Sequence, residues 1–178
     1  MKTLIDHLAQ YADYHRDPRN IHTHFVGVPM IMFAVVILLS RPTWLIGDLG
    51  GLPVSPALAG ALAACIFYFR LDFRFGLVMA ALLSAILVGG QWLALQSTVL
   101  WLAAGVGLFV VGWVIQFVGH YYEGRKPAFV DDLMGLIVGP LFVVAELGFL
   151  LGLRKEVQAA IEQRSGPVRV RTGPAATA

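Results

Sequence analysis

Four histidines lie in two polar segments that flank long apolar runs: His15, His22 and His24 near the N-terminus, and His120 about a hundred residues later. Neutral imidazole is the commonest metal-binding side chain and suits iron, zinc and copper. Three imidazoles so close in sequence converge if the chain turns once between them; the alternative is a set of interfacial histidines bonded to headgroups or backbone. His22 and His24 share a face in extended chain but diverge on a helix, so both bind one ion only if residues 21–24 are not regular helix. In the second segment Trp113, Gln116, His120 and Glu123 recur at helical spacing and fall on one face. Glu123 and Tyr122 are the candidates for acid or base chemistry. Glu123 could instead orient a histidine or pair with Arg19 or Arg125, and Tyr121 and Tyr122 also suit an interfacial aromatic belt. Arg16, Arg19, Asn20, Gln116 and Arg125, with Lys126, are the polar side chains available to a substrate head, although cations at such positions also set topology or bind headgroups.

The elements that position these residues are hydrophobic. Of 178 residues 58% are apolar and 13% charged, a composition of membrane rather than water-soluble chains. Uncharged runs cover Phe25–Ser40, Val54–Phe69, Phe75–Leu95, Thr98–Gly119 and Leu133–Leu153. The first two are short against the roughly 20 residues that cross the hydrocarbon, and re-entrant or tilted arrangements suit them. The expected fold is therefore all-α: a polytopic membrane bundle of about five apolar helices, preceded by an amphipathic helix over residues 3–15 that carries Leu4, Leu8, Tyr11 and His15 on one side. Residues 1–24 form the histidine-bearing entry, 25–153 the membrane domain with its second histidine motif at 116–128, and 154–178 a polar, partly disordered tail.

Proline and glycine make residues 41–56 a loop, Arg70, Asp72 and Arg74 mark a tight charged connection, and Gln96-Ser97 a shorter one. Asp131 and Asp132 read as helix caps, and Glu146, inside the last run, is a functional candidate or a paired structural carboxyl. Residues 1–19 lack the continuous apolar core of a cleaved signal peptide. The single Cys65 excludes an intramolecular disulfide and a cysteine metal cage, and the net charge of +2 gives no reason to expect nucleic acid.

Cations in the short connections set the orientation. Five crossings place Lys2, Arg16, Arg19, Arg70, Arg74, Arg125 and Lys126 on one side and Arg41 on the other, which makes the histidine face cytoplasmic. The arginines after residue 153 then lie on the wrong side, unless the last run breaks at Pro140 and returns.

The pattern His15, Asn20, His24, Gly27 and Pro29, followed by Gln116-Phe117-Val118-Gly119-His120, Glu123 and Pro127-Ala128, resembles the Mpo1-like family over about residues 10–150. The resemblance implies an iron(II)-dependent membrane dioxygenase that uses O2 to shorten a 2-hydroxy fatty acid by one carbon, the α-oxidation step of phytosphingosine breakdown. It implies essential histidines and carries over best to His15, His24 and His120, with His22 as the choice for a fourth ligand. The expected setting is a lipid bilayer, a bacterial inner membrane by composition, with an amphiphilic fatty-acyl substrate. The rival class is a non-catalytic membrane protein that binds or carries a metal ion or lipid, with Glu146 and Gln91 lining a path. It requires polar residues through the membrane depth, whereas these cluster at one end.

Overall fold

A computed structural model describes residues 2–46 and 52–169. Seven α-helices follow in order: α1 Leu4–Ala12, α2 Pro18–Ser40, α3 Pro56–Leu71, α4 Phe73–Ala94, α5 Thr98–Glu123, α6 Gly135–Leu150 and α7 Lys155–Ser165. Between α2 and α3 a short antiparallel pair, β1 Trp44–Ile46 and β2 Leu52–Val54, replaces part of the expected loop; Gly47, Gly50 and Gly51 lie outside the described residues. The first five helices start with side-chain caps: Thr3, Asp17, Ser55, Asp72 and Ser97 each accept a backbone N–H from the first turn, with Pro18 and Pro56 at first-turn positions where no N–H is needed. Gly124, at φ +70°, ends α5 in the left-handed conformation that glycine adopts without steric cost.

Capping at Asp17 changes the expected spans. By starting at Pro18, α2 draws His22 and His24 into a helix of 23 residues, so the first apolar run is no longer short. Three helices, α2, α4 and α5, are long and apolar enough to cross a membrane; α3 has 16 residues. Helix α1 stops at Ala12 rather than continuing to residue 15, and His15 hangs on a turn closed by its own N–H to the Ala12 carbonyl at 2.9 Å.

Helices α2 and α5 pack antiparallel along two stripes of small residues, Asn20, Gly27 and Ala34 against Gly105, Gly112 and Gly119, each repeating every seven residues. Apolar side chains gain little by leaving lipid for protein, so close backbone approach and dispersion hold such a pair. The contact leaves no room for a side chain. A Cβ on Gly112 would lie 2.7 Å from Ile31 Cγ1, and one on Gly119 would lie 2.5 Å from Asn20 Oδ1 and strike Thr23.

The two ends of the bundle differ. At one end Arg41 donates to Thr98 Oγ1 at 2.9 Å and lies over the Trp101 ring, which joins the C-terminus of α2 to the start of α5. At the other end α1, α7 and the α3–α4 connection gather: α1 packs on α7, and Arg154 grips Asp72 with two bonds of 3.0 and 2.9 Å. The short α3 therefore does run from one end of the bundle to the other. Helix α6 does not: it begins just after the C-terminus of α5 and ends at Arg154, both at the histidine end, and α7 turns from it by 115°. The expected break at Pro140 does not occur, since α6 runs unbroken through that residue and the bend comes after Leu150; with both ends of α6 at the histidine end, Arg154 and Lys155 lie on the same face as Arg70 and Arg125.

Gly119→Ala tests the seam. Overpacking of a tight contact costs about 1–3 kcal/mol, so the variant melts at lower temperature in detergent. Gly107→Ala, where an added Cβ meets nothing within 4 Å, melts at or slightly above the parent temperature, because alanine favours the helix by about 0.5–1 kcal/mol. Equal behaviour of the two sinks the seam as a source of stability.

Candidate metal centre

Three elements converge at the histidine end: the turn after α1 supplies His15, the second turn of α2 supplies His24 and the last turn of α5 supplies His120. All three are buried, and one ring nitrogen from each lies within 4.8 Å of the others. Hydrogen bonds fix two of the rings. His15 Nδ1 faces the Tyr11 carbonyl at 2.7 Å and His24 Nδ1 faces the Asn20 carbonyl at 2.8 Å. A carbonyl only accepts, so both rings carry their protons on Nδ1 and present Nε2 lone pairs to each other across 3.0 Å. Burial, and then the neighbouring His24, hold the His15 imidazole well below its ordinary pKa, so a proton is a poor bridge between them. A metal ion is a good one: nitrogens about 2.1 Å from a common ion at a right angle stand about 3.0 Å apart, and ligating histidines usually donate their second N–H to a carbonyl. The donor set fits a divalent first-row metal, with positions left over for other ligands.

The rings are also held by packing. Tyr11 stacks on His15 with centroids 4.1 Å apart and planes 3° from parallel, and Phe142 of α6 leans on the same imidazole at 5.5 Å. Burial raises the pKa of the Tyr11 phenol, which is neutral at any physiological pH. Beside the histidines a cavity of about 70 Å³ is bounded by Tyr11, His24, Trp113, Gln116 and His120, with Phe129, Leu136 and Pro140 on the far side. Both polar atoms of the Gln116 amide and the Trp113 indole N–H are buried without a hydrogen-bond partner. Unpaired buried polar groups are costly, and clustering at a cavity marks them as groups that await a ligand.

The remaining polar residues do other work. His22, on the regular helix that the divergence argument required it to avoid, is exposed and outside the cluster, which corrects its choice as fourth ligand. Tyr122 is also exposed: its ring lies under the Arg19 guanidinium at 4.1 Å, and Arg19 pairs with Asp17 at 2.9 Å, so neither reaches the cavity. Arg125 binds the Asp13 carbonyl at 2.7 Å on the surface. Arg16 is buried against backbone carbonyls of Ala12, His15 and Gly166 and lies 3.8 Å from Glu146, which makes that carboxyl a paired structural one. Of the five expected substrate-binding residues only Gln116 lines the cavity.

Glu123 acts as a clasp and does not line the cavity. Its Oε2 accepts the N–H groups of Arg16 at 3.0 Å and Asp17 at 2.8 Å and the Asn20 amide at 3.1 Å, while Arg169 approaches Oε1 at 3.4 Å. Asn20 passes this anchoring on, because its own carbonyl holds His24. Tyr11 and Phe142 are the site residues that sequence reasoning missed. The signal for Tyr11 is its position one helical turn before His15; for Phe142, inside a uniformly apolar run, there is none.

Two outcomes are expected. Single changes of His15, His24 or His120 to Ala abolish metal retention, read as metal per protein after anaerobic purification and addition of iron(II), while His22→Ala retains it; full retention by all three, or loss in His22→Ala, overturns the assignment. Glu123→Ala strands three donors at about 1–3 kcal/mol each and loses both thermal stability and metal, whereas Glu123→Gln keeps an acceptor and most of both. A folded, metal-loaded Glu123→Gln protein without activity would instead make Glu123 a proton-transfer group.

Comparison with known proteins is consistent with this geometry. The family model for 2-hydroxy-palmitic acid dioxygenase Mpo1-like proteins matches residues 1–151. The 2-hydroxy-palmitic acid dioxygenase MPO1 of Saccharomyces cerevisiae is 32% identical over 163 residues, which cover 89% of this chain and 87% of the yeast protein. No solved structure matches. The buried histidines, the clasp and the cavity all lie within the matched residues, and the chain belongs to the Mpo1-like family.

Proposed function

We propose that this protein is an iron(II)-dependent dioxygenase that shortens a long-chain 2-hydroxy fatty acid by one carbon at the membrane face. The observation that carries the reading is the buried triad of His15, His24 and His120 opening onto a cavity with unpaired Gln116 and Trp113 donors and an otherwise apolar wall. Iron(II) held by His15, His24 and His120 would supply the Lewis-acid and redox chemistry for oxidation of a 2-hydroxy acid by O2. The reaction R–CH(OH)–COOH + O2 → R–COOH + CO2 + H2O balances with O2 as the four-electron acceptor and needs no external reductant.

The chain's own residues bind, orient and shield. Neutral imidazoles with Nδ1 protons fixed on carbonyls leave Nε2 free to ligate without reorganisation. The Gln116 amide and Trp113 N–H receive the carboxylate or hydroxyl of the substrate, which satisfies atoms that otherwise have no partner. Tyr11 and Phe129 line the cavity and Phe142 backs His15, so aromatic side chains limit water at the histidines, and burial keeps the Tyr11 phenol uncharged. A substrate of this kind enters from lipid, and the cation-rich end of the bundle is the cytoplasmic one by the distribution of Arg and Lys. For the carrier alternative, Gln91 lines neither this cavity nor the apolar one beside it, and Glu146 pairs with Arg16.

With iron(II), an anaerobic mixture of protein and 2-hydroxyhexadecanoic acid yields pentadecanoic acid on admission of O2, with one CO2 for each O2 consumed; hexadecanoic acid is inert. Product formation without O2, or unchanged 2-hydroxy acids of every length despite loaded metal, overturns the reading. Gln116→Met separates stability from function: removal of an unpaired buried amide keeps or raises the melting temperature by the equivalent of about 1 kcal/mol, while KM rises about tenfold or more.

A further inference from the structure

A second space lies against the histidine cavity. An apolar cavity of about 420 Å³ lies between α2, α3, α5 and α6, and its walls share Ile31, Met32, Trp113, Leu136 and Pro140 with the cavity beside the histidines. From His24 at the first cavity to Leu39 at the far end of the second, α2 rises about 22 Å at 1.5 Å per residue. The outer wall is one face of α3, where Ala57, Gly60, Ala61 and Ala64 keep side chains out of the space, and a Cβ on Gly60 would meet nothing within 4 Å. The walls carry no charged residue. The polar end of the composite space is fixed by the unpaired Gln116 amide at the histidines, so it is shaped for an amphiphile with its head at the cluster and its tail toward the opposite membrane face.

We propose that this α3 face is the chain-length ruler of the protein: a single unbranched alkyl chain of the substrate lies between α2 and α3, and Gly60 and Ala64 set how far it extends. The inference rests on the 2-hydroxy acid reading for the identity of the head group. An extended alkyl chain advances about 1.25 Å per carbon, from bonds of about 1.5 Å at tetrahedral angles, so the space takes about 18 carbons. Ala64 is one turn nearer the histidines than Gly60, about 6 Å along α3, which corresponds to about five carbons.

Gly60→Phe, Ala64→Phe and, as a control at a position of the same helix outside the cavity lining, Ala63→Phe test the ruler with 2-hydroxy acids of 8 to 20 carbons. Gly60→Phe lowers kcat/KM for the longest substrates about tenfold or more and spares short ones; Ala64→Phe moves the cut-off about five carbons shorter still; Ala63→Phe follows the parent. Uniform loss at all lengths, or unchanged preference in Gly60→Phe, overturns the ruler and leaves the reaction standing. If the parent protein turns over no 2-hydroxy acid, the reaction reading fails and photolabelling still decides the cavity. 2-Hydroxyhexadecanoic acid with a terminal diazirine should label residues 56–71, less in Gly60→Phe. Labelling confined to the exposed faces of α4 and α5, or equal labelling of 56–71 by a phosphatidylcholine with the same terminal diazirine that the hydroxy acid does not displace, overturns it.

Discussion

Everything at the histidine end depends on one carboxylate that collects three donors. Glu123 ends α5, and its oxygen takes the N–H groups of Arg16 and Asp17, which face away from any helix, together with the Asn20 amide. Those N–H groups are buried and have no water to turn to, so the carboxylate decides where the chain enters α2. Entry at Asp17 sets the rotational phase of α2 and brings His24, rather than His22, to the cluster. The same constraint stops α1 short, because residues that donate to Glu123 cannot also continue a helix. His15 is thereby left on a turn, at the distance from His24 that two ligands of one ion require.

The clasp works at the end of a seam that brings the backbones of α2 and α5 close together. Small residues at seven-residue intervals on both helices admit that approach, and Gln116 and His120 are presented from the same side of α5. Polar placement and apolar packing thus reinforce each other: the glycines set how near the helices lie, and the clasp sets their register. The unpaired Gln116 amide sits where the two meet, against Gly27.

Much of this was legible in the residues. Apolar run length and turn residues gave the all-α bundle, because crossing segments must satisfy their own backbone and capping residues announce where they start. Spacing alone offered His15, His22, His24 and His120 together, and the resemblance to the Mpo1-like family set His15, His24 and His120 first. Other features were hidden for physical reasons. The fate of His22 turned on whether residues 21–24 were helical, which depends on Asp17 and on a carboxylate about a hundred residues away. Arg16, Arg19 and Arg125 looked like anion binders because charge is visible in sequence, whereas the backbone carbonyls and ring that occupy them are not. The seven-residue stripe of Gly105, Gly112 and Gly119 is readable in the sequence as a surface for close helix packing. The return of α6 could not be read from its apolar composition, since Phe142 and Leu141 bury against α1 and its neighbours as readily as others face lipid.

That return has a consequence for how the protein is made. The histidine face is built from the first and last described parts of the chain: α1 rests on α7, the Arg169 N–H closes on the Arg16 carbonyl at 2.8 Å, and Phe142 backs His15. His15 and His24 leave the ribosome long before His120, and the helices that roof them emerge last. The N-terminal histidines are thus covered by the last helices of the chain, and this end of the molecule is complete only once α6 and α7 have been made.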